Sequence, residues 1–303
     1  MKLGFFESEH SFCSDHLSSS MLKFLSAILL LSMMSCSSHL KSAGDSSPGK
    51  VVTAPGFKVW RNAVYTPEGW PEALRADIYE PKGDGPWPGV LLIHGGGWAK
   101  TDRRSDMESI AGRLARRGYV VMNATYRLAP KYHYPAPVQD LQEAMRWFRA
   151  RGDTFNLDPR PMAVFGYSAG GHLAALLGSM DDPNTPPIKA VVAGGAPVDL
   201  RKYPGPGLIA DFIGGVMTEY PDAYVEASPV THISPDDPPV FLYHGGFDLL
   251  VRSDQPVDYR KALTAAGVPN ELFWIRGRGH VIGFLSDGAA VRAAIKFLDR
   301  QFR

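Results

Sequence analysis

Ser168 stands in the run Gly166-Tyr167-Ser168-Ala169-Gly170-Gly171, between the short apolar segment Met162–Phe165 and the helical stretch Ala169–Gly178. A serine at a sharp strand-to-helix turn projects its hydroxyl clear of the sheet. Gly166 and Gly170 remove side chains that would collide as strand and helix close together. The helix that follows also aims its first N–H groups at developing negative charge. In that setting Ser168 reads as a nucleophile; without the flanking strand and helix it would be a turn residue.

An attacked carbonyl needs its oxygen stabilised. His94-Gly95-Gly96-Gly97-Trp98 follows the apolar run Val90–Ile93, and consecutive glycines let backbone N–H groups converge on one oxygen, as acyl transfer requires. A phosphate cradle is excluded, because no Gly-Lys-Ser/Thr follows and no helix opens directly on the glycines. His94 would be tethered beneath this loop and hold it rather than act in catalysis.

Val240–Tyr243 runs into His244-Gly245-Gly246-Phe247-Asp248. A carboxylate just past a strand's carboxyl end sits on the rim where open α/β sheets bind ligands, so Asp248 is the expected acid. Asp254 and Asp258 fall within the next helix, whereas Asp199, also just after a strand, is the stronger rival. Glu271–Arg276 reads as the last strand, with His280 in the loop after it. The chain has nine histidines. His10, His16 and His39 lie in the leader or tether, His172 on the helix after Ser168, and His94 and His244 in loops already placed; His133 and His232 lack a strand-end setting. Ser168, Asp248 and His280, in that chain order, are the expected triad. His280 would take the proton of Ser168, and Asp248 would fix its tautomer. A base must be neutral to accept a proton, so turnover is expected to fall on acidification.

Such distant residues meet only if a sheet gathers them. Lys58–Tyr65 and Leu74–Tyr79 alternate in polarity and read as early antiparallel strands. Val90–Ile93, Tyr119–Asn123, Met162–Phe165, Ile188–Ala193 and Val240–Tyr243 are continuous apolar runs, suited to strands buried on both faces of a parallel sheet. Asp106–Arg117, Val138–Arg149, Ala169–Gly178, Asp254–Ala266 and Leu285–Phe302 read as helices between and after them. The pattern is that of an α/β domain with a mostly parallel central sheet and helices on both faces. Val198–Asp237, rich in Gly and Pro, is expected to form a small cap. There is no internal repeat and no second domain.

Residues 21–36 place Lys23 before a short apolar run and small residues after it, the layout of an export signal. The run Phe24–Met34 is too short to span a bilayer comfortably. Glu7, Glu9 and Asp15 make residues 1–20 a poor signal start, so translation is expected to begin at Met21. Met33-Met34-Ser35-Cys36 resembles a bacterial lipobox, with Met33 where leucine is usual, and a serine-rich tether follows. Residues 1–36 are thus a leader, 37–55 a tether and 56–303 the catalytic domain. By that resemblance lipidated Cys36 would attach the exported protein to the membrane. Plain secretion is the alternative.

Thirty-two Lys and Arg against 31 Asp and Glu leave a net charge of +1, which gives no concentrated field for nucleic acid. Both cysteines, Cys13 and Cys36, precede the folded part, so no disulfide or thiolate metal site holds it together.

Taken together, the HGGGW, GYSAGGH and HGGFD-x-x-V elements resemble the α/β-hydrolase superfamily. The likeness is to its esterase/lipase branch of bacterial feruloyl-esterase-like and hormone-sensitive-lipase-like carboxylesterases. It runs from about Val59 to Phe302 and includes Tyr126-Arg127-Leu128-Ala129-Pro130 and Ala227-Ser228-Pro229. Tyr167 stands where the hormone-sensitive-lipase group has Asp, and the segment after the leader supplies no large helical cap, which favours the feruloyl-esterase-like branch. The resemblance implies oxyanion donors at the N–H groups of Gly96, Gly97 and Ala169, with Trp98 as a further one. It also implies a pocket lined by Trp98, Tyr167, Phe212, Leu249 and Val281. The expected activity is hydrolysis of short-chain, aryl or carbohydrate esters through an acyl-Ser168, with no metal or organic cofactor. An amide hydrolase on the same residues and an inactive binding module remain as alternatives.

Overall fold

The structure, a computed structural model, describes residues 51–303 apart from Lys100 and Asn184. Met21 and Cys36 lie outside the described residues, as do the leader and most of the tether.

Nine strands form one sheet. They are β1 (Val51–Ala54), β2 (Phe57–Val64), β3 (Arg75–Pro81), β4 (Gly89–Ile93), β5 (Val120–Ala124), β6 (Met162–Tyr167), β7 (Ile188–Gly194), β8 (Val240–Gly245) and β9 (Asn270–Ile275). Their order is β1-β2-β3-β5-β4-β6-β7-β8-β9. The first three pairings, β1 with β2, β2 with β3 and β3 with β5, are antiparallel; the rest are parallel. β4, β5, β6 and β8 are buried along their whole length, which is why their sequences read as unbroken apolar runs.

Alternate side chains of a strand serve opposite faces. Leu91 and Ile93 join the core beneath α2 (Ala136–Arg149) and α4 (Ala169–Ser179), whereas Val90 and Leu92 join the core beneath α1 (Glu108–Arg116) and α9 (Gly288–Phe302). The short α3 (Gly152–Phe155) and the longer α7 (Asp254–Ala265) pack on the first face. This is the α/β-hydrolase arrangement expected from the sequence.

Beyond shifts of one or two residues at element ends, the structure departs from the expected boundaries in a few places. Val51–Ala54, assigned to the tether, pairs in register with β2 as an edge strand. The helix read as Leu285–Phe302 begins at Gly288 as α9, and a separate α8 (His280–Leu285) precedes it, with the break at Ser286-Asp287. The carboxylate of Asp287 is buried at the break and accepts from Arg113 at 3.2 Å. His280, expected in a loop, opens α8. The segment Val198–Asp237 folds into α5 (Leu208–Ile213), α6 (Pro221–Glu226) and two single 3-10 turns, and its first half forms part of a cleft wall.

Candidate active site

Ser168 connects β6 to α4 with φ 54° and ψ −122°, a conformation a non-glycine residue rarely holds. Its N–H donates to Gly194 O at 2.7 Å, and its carbonyl accepts from His172 N at 2.9 Å. The turn is possible because its glycines leave no room for anything else. A Cβ on Gly166 would lie 2.1 Å from Gly170 O, and one on Gly170 would lie 2.1 Å from Ile93 O.

The turn after β8 delivers Asp248, and the first residue of α8, just past β9, delivers His280. The Oγ–H of Ser168 donates to His280 Nε2 at 2.9 Å, and His280 Nδ1–H donates to Asp248 Oδ2 at 2.6 Å. The other oxygen, Oδ1, accepts from Leu250 N at 3.0 Å and Val251 N at 2.8 Å. Burial works to raise the Asp248 carboxyl, but the hydrogen bonds from His280 and Val251 outweigh it and hold the group below the usual carboxylate range. His244, kept neutral by burial, donates Nε2–H to Val251 O at 2.8 Å and closes the same loop.

The rival carboxylates stand elsewhere. Asp199 caps a 3-10 turn and binds Arg201, and Asp254 and Asp258 hold Lys202.

The glycine loop after β4 runs against this row of side chains, since a Cβ on Gly95 would meet Ser168 Cβ at 3.2 Å. Gly96, Gly97 and Trp98 all take positive φ, which turns their N–H groups away from regular pairing. Among the described residues no hydrogen bond uses the N–H of Gly96 or Gly97. Ala169 opens α4, so its N–H has no acceptor inside the helix.

Buried His94 lies under the loop as expected. Its Nδ1–H donates to Gly95 O at 2.7 Å, and its ring stacks on Tyr126 at 4.6 Å. His172 pins the far end of the loop: Trp98 Nε1–H donates to its Nδ1 at 3.2 Å, and its Nε2–H donates to Ala227 O at 2.7 Å. Burial pushes His172 down to about 4, so it is a neutral connector. The sequence places His172 on the helix after Ser168 and carries no sign of this role.

Over the row opens a cleft of about 720 Å³. Trp98, Tyr167 and Val281 line it, as the resemblance implies. Phe212 and Leu249 do not. Phe212 is fully buried behind Trp98, stacked on it at 4.7 Å, and Leu249 projects into solvent. Their neighbours Leu208, Ile209, Leu250 and Val251 take the wall positions, and Met107, Phe284, Leu285, Arg103 and Asp106 line the cleft as well. Loop segments have no side-chain period, so which member of Leu249-Leu250 faces inward was not legible. Tyr167 does more than line the wall. Its hydroxyl donates to His280 O at 2.7 Å and ties the start of α8 to β6.

A mostly parallel sheet with a strained serine turn, a glycine loop and a histidine–carboxylate pair at one rim defines an α/β-hydrolase. The chain belongs to the BD-FAE family, an α/β-hydrolase esterase family whose model matches residues 76–263. Esterase LipC of Mycobacterium tuberculosis is 30% identical over 223 residues, covering 67% of this chain and 55% of LipC. The probable carboxylic ester hydrolase LipM of the same organism is 30% identical over 184 residues, covering 55% and 43%. The chain thus spans about half the length of the curated relatives it matches. Among solved structures, a truncated carbohydrate esterase from gut microbiota superposes with TM-score 0.72 at 24% identity, over 86% of this chain and 99% of that one. An acetyl ester-xyloside bifunctional hydrolase from Caldicellulosiruptor lactoaceticus superposes with TM-score 0.63 at 25% identity, over 78% and 90%.

Proposed function

We propose that this protein is a serine carboxylic-ester hydrolase in which Ser168, His280 and Asp248 act as a catalytic triad. The observation that carries the reading is the unbroken hydrogen-bonded row from Ser168 Oγ through His280 to Asp248. Ser168 Oγ attacks the ester carbonyl carbon as its proton passes to His280 Nε2. The carbonyl oxygen becomes an oxyanion, held by the N–H groups of Gly96, Gly97 and Ala169. Collapse breaks the bond to the alcohol oxygen, which takes the proton from His280, and leaves an acyl-Ser168. Water then gives its proton to His280 and attacks the acyl carbon; the serine oxygen leaves, reclaims the proton, and the acid is released.

The mixed wall suits an ester with an apolar acyl or aryl part and a polar partner: Leu208, Ile209 and Phe284 supply the first environment, Arg103 and Asp106 the second. We assign short-chain, aryl or carbohydrate esters as the substrate class, and the carbohydrate esterases with the same fold support it. A fluorophosphonate is expected to label one serine per chain, with labelling and p-nitrophenyl acetate turnover both lost in Ser168→Ala. No labelling of the native chain would make it a binding module. Turnover of anilides faster than esters would make it an amidase. Export and lipidation of Cys36 belong to the same reading, and incorporation of labelled palmitate by the native chain but not by Cys36→Ser tests them.

A further inference from the structure

The most exposed large apolar side chains among the described residues are gathered in one place. Leu249 (93% exposed), Leu285 (76%), Phe247 (72%), Val281 (64%), Leu250 (57%) and Ile282 (56%) all belong to two short segments, the loop that carries Asp248 and the helix α8 that begins at His280. These segments touch. Gly246 N donates to Ile275 O at 3.0 Å and Phe247 N to Arg278 O at 2.9 Å, so the Asp248 loop is stitched to the strand end that leads into α8. Single exposed apolar residues are ordinary on a protein surface, but a contiguous group marks a site of interaction.

Substrate in the cleft accounts for part of the collar, since Leu250, Val281 and Leu285 line the wall. Phe247, Leu249 and Ile282 are not on that wall, and a small ester bound beside Ser168 leaves them in water. Something larger than the substrate is needed to cover them.

The charges beside the collar select what that is. Arg276 and Arg278 are exposed on the connecting loop, and neither has an ion pair among the described residues. Arg252, at the other end of the Asp248 loop, is largely exposed and only loosely paired, 3.7 Å from Asp254. The acids of the Asp248 loop, the helix after it and the adjoining cleft wall are already engaged: Asp248 with His280, Asp254 with Lys202 and Asp106 with Arg103. A second copy of the chain meeting this collar would bring arginines against arginines. An anionic bilayer presents a hydrocarbon boundary for the apolar side chains and phosphates for the guanidinium groups.

We propose that this collar docks the mouth of the cleft on an anionic phospholipid surface. The docking is independent of any acyl chain on Cys36, and the binding readout does not depend on the chemistry proposed for Ser168. The test uses the full chain carrying Cys36→Ser, sedimented with vesicles of phosphatidylcholine with and without phosphatidylglycerol. Binding to the anionic vesicles is expected, falling as salt is raised. Adding Phe247→Asn, Leu249→Asn and Ile282→Asn together is expected to weaken it about tenfold or more. Arg276→Gln with Arg278→Gln is expected to weaken binding to anionic vesicles by about fivefold per arginine, with little change on phosphatidylcholine alone. Both variants should hydrolyse soluble p-nitrophenyl acetate as the parent does, which shows that they fold. Vesicle binding that neither variant reduces would place the affinity in the leader and overturn the proposal. So would a dimer in light scattering that the triple substitution dissolves.

Discussion

Asp248 uses both carboxylate oxygens, one toward His280 and one toward the N–H groups that close its own loop. Asp248→Asn keeps the shape and removes the charge that would stabilise an imidazolium. The change is expected to lower kcat by roughly 10⁴-fold, the scale seen for the same exchange in a serine protease, with KM little changed. Steady-state kinetics on p-nitrophenyl acetate checks it. A subtler effect is expected at Tyr167, whose hydroxyl reaches the carbonyl of His280. Tyr167→Phe removes the side-chain donor and leaves that carbonyl its helical N–H partner alone, and stability is expected to drop by about 1 kcal/mol. If the bond aligns the imidazole, kcat falls while KM holds; a purely structural bond would shift only the denaturation midpoint. Ser168, Asp248 and His280 were legible because each follows a strand among glycines. The Tyr167 bond was not, because its partner is a backbone carbonyl, which leaves no trace in residue types.

The glycine loop is held as an element by two buried histidines, His94 below and His172 at its Trp98 end. Burial lowers His172 from an ordinary 6.5 to about 4, so the folded protein favours the neutral ring while the unfolded chain takes up a proton. The stability tied to this neutrality is fully present above about pH 6.5. It is lost progressively as pH falls toward 4, amounting to roughly 3 kcal/mol. His94 and His244 are lowered by burial too and act in the same direction. Urea midpoints measured from neutral pH to about pH 4.5 are expected to fall steadily in the native protein and less steeply in His172→Gln. An equal slope in both would remove His172 from the account. At this scale the sequence was readable where apolar runs were long, as in β4 and β6. Short pieces escaped it. Val51–Ala54 has too few residues to show alternation, and the break at Asp287 hides in a helical pattern because the buried carboxylate is satisfied by Arg113, far away in the chain.

Across the whole molecule, the loop Tyr126–Pro130 joins parts that the sheet alone does not. Tyr126 OH donates to His94 O at 3.0 Å, and Ala129 N donates to Trp98 O at 2.8 Å, so this loop braces the glycine loop at both ends. Between them Arg127 enters the interior and meets Asp140 of α2 at 2.8 Å; the pair is almost wholly buried. Trp70, from the connection between β2 and β3, donates its indole N–H to the same carboxylate at 2.8 Å. One carboxylate thus ties the antiparallel edge, the bracing loop and α2 together, an arrangement invisible in sequence because nothing local links positions 70, 127 and 140. A buried charge that loses its partner costs far more than a surface ion pair contributes. Arg127→Met is therefore expected to destabilise the fold by about 3–5 kcal/mol, or roughly 10 °C in Tm. Adding Asp140→Leu removes the stranded charge and is expected to recover part of that loss. Recovery stays incomplete because the Trp70 indole and the Arg127 backbone N–H then lack their acceptor. Calorimetry on the two variants decides the point: a double variant no more stable than Arg127→Met would mean that lost packing, and not the unpaired carboxylate, carries the cost.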